Sequence, residues 1–286
     1  MQTATLFRYS WIADIVILNW IENAGKLRMG ILQFVLAYLS LLIIKLRKKK
    51  IVWMFHNMTP HDGKSLFSDI LCSYLYKNAS LIISHSKEAT EYARKHACCS
   101  VEYICHPIKP LHFAYQNELK QYDVLIWGTI LPYKGIAEFL EYCKDKIDVN
   151  ILILGKCSDE SLSKRIEQQC GMWITFENRK ADFDELGTYI EKCKYVLFPY
   201  IGNSISSSGA LIDTLAMKGT PIGPAKGAFE DLSKEGVCIT YQNYDELIDI
   251  LHSNTLKISD IKRNVFIKNN SWDTFWEKIK ALLSKS

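Results

Sequence analysis

Two short stretches carry residue types suited to holding a polyphosphate. In the first, Trp127-Gly128-Thr129-Ile130-Leu131-Pro132-Tyr133-Lys134-Gly135-Ile136, an apolar run from Asp123 to Trp127 leads into a glycine turn, a lone lysine and the start of a helix. In the second, Pro199-Tyr200 precedes Ser206-Ser207-Ser208-Gly209-Ala210-Leu211-Ile212-Asp213, a Ser/Gly turn that opens another helix. Both patterns place backbone N–H groups, and the first a cation, at the carboxyl end of a strand, where open α/β sheets bind phosphates. No Walker sequence is present, so the ligand expected is a nucleotide diphosphate held by helix ends and single side chains. Each feature also has a plainer reading: Lys134 as a surface lysine in a turn, and Ser206 to Gly209 as an ordinary serine helix cap.

The elements that must position these residues alternate strand and helix. Ile12 to Trp20 and Lys50 to His56 read as strands flanking a helix-length apolar segment, Leu27 to Leu46, which is a βαβ unit with parallel pairing. Helices are expected at Leu66 to Lys77 and Glu88 to His96, with strands at Leu81 to Ser84 and Val101 to Ile104. The stretch 109–121 has no sustained period and reads as a linker. A second alternating series starts at Tyr122 and runs through the strands Val124 to Trp127, Asn150 to Leu154, Trp173 to Phe176 and Tyr195 to Phe198. Ser271 to Leu283 closes the chain as an amphipathic helix in which Trp272, Phe275, Trp276, Ile279 and Leu282 recur at helical spacing.

With 286 residues and 48% hydrophobic content the chain can form two α/β cores, which excludes a disordered protein. Its 35 basic and 31 acidic residues leave a net charge of only +4, so no nucleic-acid partner is expected. Nine cysteines without a CxxC pair or a His/Cys ligand spacing argue for reduced thiols in the cytosol. The polar start from Met1 to Ser10 lacks the form of a signal peptide.

Five elements in order, across roughly half of the chain, resemble the GT-B glycosyltransferases, and in particular the family 4-like bacterial enzymes of capsule, O-antigen and exopolysaccharide synthesis. They are Gly128…Lys134-Gly135, Ile151-Leu152-Ile153-Leu154-Gly155-Lys156, Leu197-Phe198-Pro199-Tyr200, Ser208-Gly209…Asp213 and Gly219-Thr220-Pro221-Ile222. The resemblance implies two Rossmann-like domains with parallel sheets facing a cleft. An acceptor-binding domain would span 1–110, a linker 111–121, a nucleotide-sugar domain 122–268, and a last helix, 269–286, would pack back on the first domain. It implies a nucleotide-sugar site of Gly128, Thr129, Lys134, Ser206, Ser207, Ser208, Gly209 and Asp213, a UDP or GDP sugar as donor, and no cofactor or metal. Two departures stand out. Thr129 occupies the position where the family usually has an arginine, so Lys156, Arg179 or Lys218 would have to supply the second cation. The amino-terminal domain also looks short. Asp213 resembles the family's ribose carboxylate, with Thr214 as the alternative when the alignment is counted back from Pro221.

His56 follows the Ile51 to Phe55 strand and matches a histidine that lies near the donor sugar in this family; Asp62 is the nearest candidate base, with His61 and Glu22 behind it. Asp182-Phe183-Asp184 resembles a DxD metal pair, but its place before a helix favours capping. His106-Pro107 matches an architectural His-Pro of the family. The apolar run Met29 to Ile44, ended by Lys45, Arg47, Lys48, Lys49 and Lys50, can be a buried βαβ helix, an interfacial helix with a basic edge, or a span. It is shorter than the roughly 20 residues of a typical span, and a span would have to sit between two parallel strands of one sheet, which counts against it. The expectation is a cytoplasmic glycosyltransferase, peripheral at the inner face of the cell membrane, that binds anionic lipid through Met29 to Lys50 and glycosylates a lipid-linked or polysaccharide acceptor. Two rivals are a nucleotide-sugar epimerase on the same fold and a noncatalytic partner subunit.

Overall fold

The computed structural model describes residues 2–26, 28–56, 65–109, 111, 119–202 and 208–285. The chain divides into two compact units, residues 1–105 with 275–286, and residues 106–274.

The first unit is built on four parallel strands in the order β1-β2-β3-β4: β1 Ile15–Asn19, β2 Lys50–Phe55, β3 Leu81–Ser84 and β4 Ser100–Tyr103. Its helices are α1 Gln2–Tyr9, α2 Gly30–Leu46, α3 Leu66–Asn78 and α4 Lys87–Arg94. Strands of a parallel sheet are covered on both faces and read as continuous apolar runs, and β2 shows the period of two inside such a run. Ile51, Trp53 and Phe55 enter one core with Ala37, Leu41 and Ile44 of α2 and Leu71 and Leu75 of α3. Val52 and Met54 point to the other face and pack with Phe275, Ile279 and Leu283.

Those three residues belong to α12, Trp272–Lys285, so the last helix supplies the cover for the second face of the first sheet. Phe275, Ile279 and Leu283 form a row at intervals of four, and Lys50 Nζ donates to the carbonyl of Leu283. Trp272, which helical spacing placed on the packing face, is exposed, because it opens the helix one turn before that row begins.

The second unit holds six parallel strands in the order β10-β9-β8-β5-β6-β7, with β5 Tyr122–Trp127, β6 Ile151–Leu154, β7 Ile174–Glu177, β8 Cys193–Leu197, β9 Pro221–Pro224 and β10 Ile239–Tyr241. Between and after them lie α5 Ile136–Cys143, α6 Glu160–Glu167, α7 Phe183–Lys192, α8 Gly209–Ala216, α9 Gly227–Lys234, α10 Tyr244–Ser253 and α11 Asp260–Asn269. Polar caps set several of these helices: Asp159 accepts from Leu162 N, Asp182 from Glu185 N, Asn243 from Glu246 N and Ser259 from Lys262 N. Asp182 is thus a helix cap, as its setting suggested.

Neither α1, α9 nor β10 was marked by the sequence pattern; each is at most eight residues long, too short for a clear period. The unit boundary falls at Cys105/His106, ahead of the 111–121 stretch. Ile108 N donates to Asn270 O and Gln121 N to Lys192 O, so both flanks of that stretch are tied into the second unit. All nine cysteines are free thiols.

Phe275→Ala is expected to lower the stability of the first unit by about 3–4 kcal/mol, read by chemical denaturation. A cost below about 1 kcal/mol would mean that α12 contributes little to the cover of this sheet.

Candidate functional site

Strand order alone marks one crevice in the second unit. From β5 the chain moves outward through α5 to β6, and after β7 it returns to the other side of β5 to lay down β8. The carboxyl ends of β5 and β8 therefore flank a topological switch point, the place where open α/β sheets take ligands. The loop after β5 carries Gly128 to Gly135, and the segment after β8 leads to Ser208 and α8.

Backbone geometry locks these two segments together. Gly128 has φ +97° and Gly135 has φ +64°, a region that side-chain-bearing residues rarely adopt. A Cβ on Gly135 would lie 2.3 Å from Pro199 O, and Ile201 N donates to Tyr133 O at 3.1 Å. On the opposite side, a Cβ on Gly155 would lie 2.0 Å from Gly128 O, which lets the β5 and β6 ends stay paired through Gly128 N to Leu154 O.

Lys134 is the product of this clamp. It is only 7% exposed, and its Nζ sits 5.8 Å from the centre of the Tyr200 ring and beside Gly128, where an added Cβ would meet it at 3.1 Å. Among the described residues no carboxylate pairs with it, and burial pulls its pKa down from 10.5 to about 8. Tyr200 is itself buried and lies 3.5 Å, through its hydroxyl, from Ser208 Oγ. Ser208 caps α8 by accepting from Leu211 N at 3.2 Å, so its hydroxyl serves the helix while the first-turn N–H groups of α8 remain at the crevice. Gly209 is open, with no atom within 4 Å of where a Cβ would stand.

Asp213 and Thr214 stand in different environments. Thr214 is fully buried and accepts from the Trp127 indole N–H at 3.0 Å, which joins the end of β5 to α8. Asp213 is half-buried; burial lifts its carboxyl to about 6, opposed by the positive charge of Lys109. Only Asp213 keeps acceptor oxygens that no buried partner has claimed.

The three cations expected to take the place of an arginine at Thr129 stand in different settings. Arg179 is clamped by Glu177 and Glu185, with Nε to Glu177 Oε2 at 2.9 Å and Nη1 to Glu185 Oε2 at 2.9 Å. Lys218 follows the far end of α8 from Ser208. Lys156 is exposed and lines a cleft of about 200 Å³ with Thr129, Lys180, Trp127, Leu154 and Phe183, beside Gly128. Lys180 and Lys109 went unnoticed in the sequence because neither lies in a recognisable motif. Ser206 and Ser207 lie outside the described residues.

In the first unit His56 is 7% exposed and directly follows β2. Its Nε2 lies 3.0 Å from Asn19 Oδ1, its ring stacks on Trp20 at 4.2 Å and 6°, and His85 stands 5.6 Å away. Asp62 and His61 lie outside the described residues. Glu22 is buried against Trp53, and among the described residues neither Glu22 Oε2 nor Trp53 Nε1 finds a hydrogen-bond partner of good geometry. The His106 imidazole lies 3.0 Å from Pro107 O through Nδ1, and burial lowers its pKa. Among the described residues no three His, Cys, Asp or Glu side chains gather as a metal site would require.

No family model matches the chain and no curated protein matches its sequence. Solved structures do match. Anabaena HepE, in complex with UDP and glucose, superposes with a TM-score of 0.76 at 13% identity, over 99% of this chain and 81% of HepE. The UDP-forming α,α-trehalose-phosphate synthase of Burkholderia vietnamiensis gives 0.69 at 10% identity, over 99% of this chain and 84% of that one. TarM gives 0.69 at 13% identity, over 98% of this chain and 58% of TarM. The chain has the GT-B fold. Its two parallel sheets and their crossovers are those of the two Rossmann-like domains of that fold.

Glu22 also makes a stability statement. Burial raises its carboxyl above 4.5, so the folded protein holds a proton that the unfolded chain releases, and stability falls as pH rises from about 4.5 through the raised value. Glu22→Gln is therefore expected to stabilise the protein at neutral pH and to do so less near pH 5. A gain that does not grow with pH would show that burial does not raise the Glu22 carboxyl above its unfolded value. Gly135→Ala is expected to cost about 2 kcal/mol or more in thermal or chemical denaturation, because its Cβ would strike Pro199 O at a positive φ. Wild-type stability in that variant would contradict the clamp.

Proposed function

We propose that the chain is a glycosyltransferase that moves a hexose-type sugar from a nucleotide diphosphate sugar to a lipid-linked or polysaccharide acceptor in surface glycan synthesis. The observation that carries this reading is Lys134: a nearly buried ammonium with no carboxylate partner among the described residues, held at the switch point beside the α8 N-terminus. A buried cation left uncompensated costs stability, and a diphosphate would repay it by charge pairing.

In this reading Lys134 and the α8 N–H groups take the diphosphate and stabilise the charge that leaves with the nucleotide as the glycosidic bond to phosphate breaks. Asp213 accepts from the ribose hydroxyls, and the apolar cleft at Trp127, Leu154 and Phe183 takes the base. Thr129, Gly128, Ser208 and Gly209 complete the phosphate cradle, together with Ser206 and Ser207 of the same turn. Lys156 and Lys180 stand in for the missing arginine. His56 acts at the donor sugar and Asp62 as general base on the acceptor hydroxyl. UDP is the first donor nucleotide to try, because HepE was crystallised with UDP-glucose and TarM with UDP; GDP is the second.

For the acceptor, α2 supports a membrane-facing reading. No helix among the described residues is long and apolar enough to cross a membrane. Ala37, Leu41 and Ile44 face the core, yet the outer stripe of the same helix is also apolar: Ile31 is 69% exposed and Leu46 80%, with Val35 and Leu39 between them. Exposed Lys45, Arg47 and Lys48 follow at the carboxyl end. Such a stripe beside a basic cluster suits an anionic leaflet, at about 1 kcal/mol per basic residue. The enzyme would then work peripherally at the cytoplasmic face.

A thermal-shift panel of UDP, GDP, dTDP, CMP and ADP is expected to give a rise in Tm with one diphosphate, UDP first, that Lys134→Ala abolishes. Binding pairs the ammonium, so the Lys134 pKa rises in the complex. Affinity should fall as pH climbs through about 8, by up to tenfold per pH unit, and lose that dependence in Lys134→Arg. No shift with any nucleotide would overturn the site, and binding without turnover of UDP sugars would identify a noncatalytic subunit. In vesicle sedimentation, binding to phosphatidylglycerol-containing vesicles is expected to fall at high salt and in Ile31→Ser/Val35→Ser/Leu39→Ser. Equal binding to neutral vesicles, or none, would remove the membrane reading.

A further inference from the structure

Trp20 stands at the carboxyl end of β1 and is 46% exposed. Its backbone has φ +57°, a left-handed conformation in which a bulky side chain is costly and glycine is the default. Ile21 and Ala24, which follow it, enter the core of the first unit, whereas Trp20 turns its ring away from that core. One face of the indole lies flat on the His56 imidazole, at 4.2 Å and 6°, and His56 is in turn held by Asn19 Oδ1 at 3.0 Å. Asn23 N donates to Trp20 O at 3.1 Å and fixes the turn. The result is a large aromatic plate, backed by a buried ring, in a strained conformation, at the carboxyl end of the edge strand of a parallel sheet. Strain kept at such a place points to use rather than to packing.

We propose that the outward face of Trp20 is an acceptor subsite that stacks one pyranose ring of the acceptor glycan. This inference rests on the glycosyltransferase reading. A hexopyranose has a face of C–H groups whose partial positive charge suits the negative face of the indole, while its hydroxyls radiate at the rim and keep their hydrogen bonds. The plate costs little side-chain entropy to engage, because His56 already sets its plane. Unlike the α2 stripe, this surface is a single ring among polar neighbours, Asn19 and His56, which fits a sugar better than an acyl chain. His56 is a positioning residue for this subsite in addition to its role at the donor sugar.

The test is saturation-transfer NMR on the full chain with UDP present, using the methyl glycosides of glucose, galactose, mannose and N-acetylglucosamine. At least one glycoside is expected to receive transfer at its ring C–H protons. The signal should fall at least fivefold in Trp20→Gly, which removes the ring and relieves the positive φ, so the fold is retained. Trp20→Tyr should keep it within about twofold. The UDP-induced rise in Tm should be the same in all three proteins. No signal in the wild type, or an undiminished signal in Trp20→Gly, would overturn the subsite, and so would displacement of the glycoside by uridine. A glycoside signal with no UDP shift would instead sink the donor reading while leaving the Trp20 surface intact.

Discussion

An ammonium group out of water, with no countercharge among the described residues, is the constraint around which the second unit is arranged. Lys134 is drawn in by a backbone clamp rather than by an ion pair: Gly135 fits against Pro199 O, Tyr133 O receives Ile201 N, and Tyr200 offers only the face of its ring. Desolvation of the cation opposes folding, and the depressed pKa expresses that opposition. The same geometry leaves the α8 N–H groups on the same crevice. Two sources of positive potential converge there because parallel strand order brings the ends of β5 and β8 side by side.

Around this centre the polar residues sort by what already holds them. Thr214 is spent on Trp127, Ser208 on the α8 cap, and Arg179 on two glutamates. Among the described residues Asp213, Lys156 and Lys180 have no such side-chain tie. Ionisable groups with perturbed or uncompensated charge at a crevice are where ligand chemistry is expected, and here those groups are Lys134 and Asp213.

The first unit reconciles two demands on one helix. As the crossover between β1 and β2, α2 must bury one face, and Ala37, Leu41 and Ile44 do so. Its opposite face could have been polar at no cost to that packing, yet it is apolar from Ile31 to Leu46. A continuous apolar run such as Met29 to Ile44 cannot say which of its faces is inside, because it lacks the amphipathic period that would tell them apart. The positive φ at Trp20 is equally silent in the sequence, since nothing in the letters Asn-Trp-Ile announces a left-handed turn.

Alternation of apolar runs with helical periods, and the Gly, Lys, Pro-Tyr and Ser-Gly elements in order, were enough to establish two parallel α/β units and the GT-B fold, because burial on both sheet faces and glycine-only turns write themselves into residue type. The sequence also named Lys134, Asp213 and His56. Their surroundings came only with the tertiary structure. It showed that Lys134 is buried with no carboxylate beside it among the described residues, that Thr214 rather than Asp213 is consumed by Trp127, and that Glu22 is sealed against Trp53. It also showed that His56 lies beneath Trp20. The physical reason is that desolvation and partnership are properties of neighbours distant in the chain, and residue type at one position does not encode them.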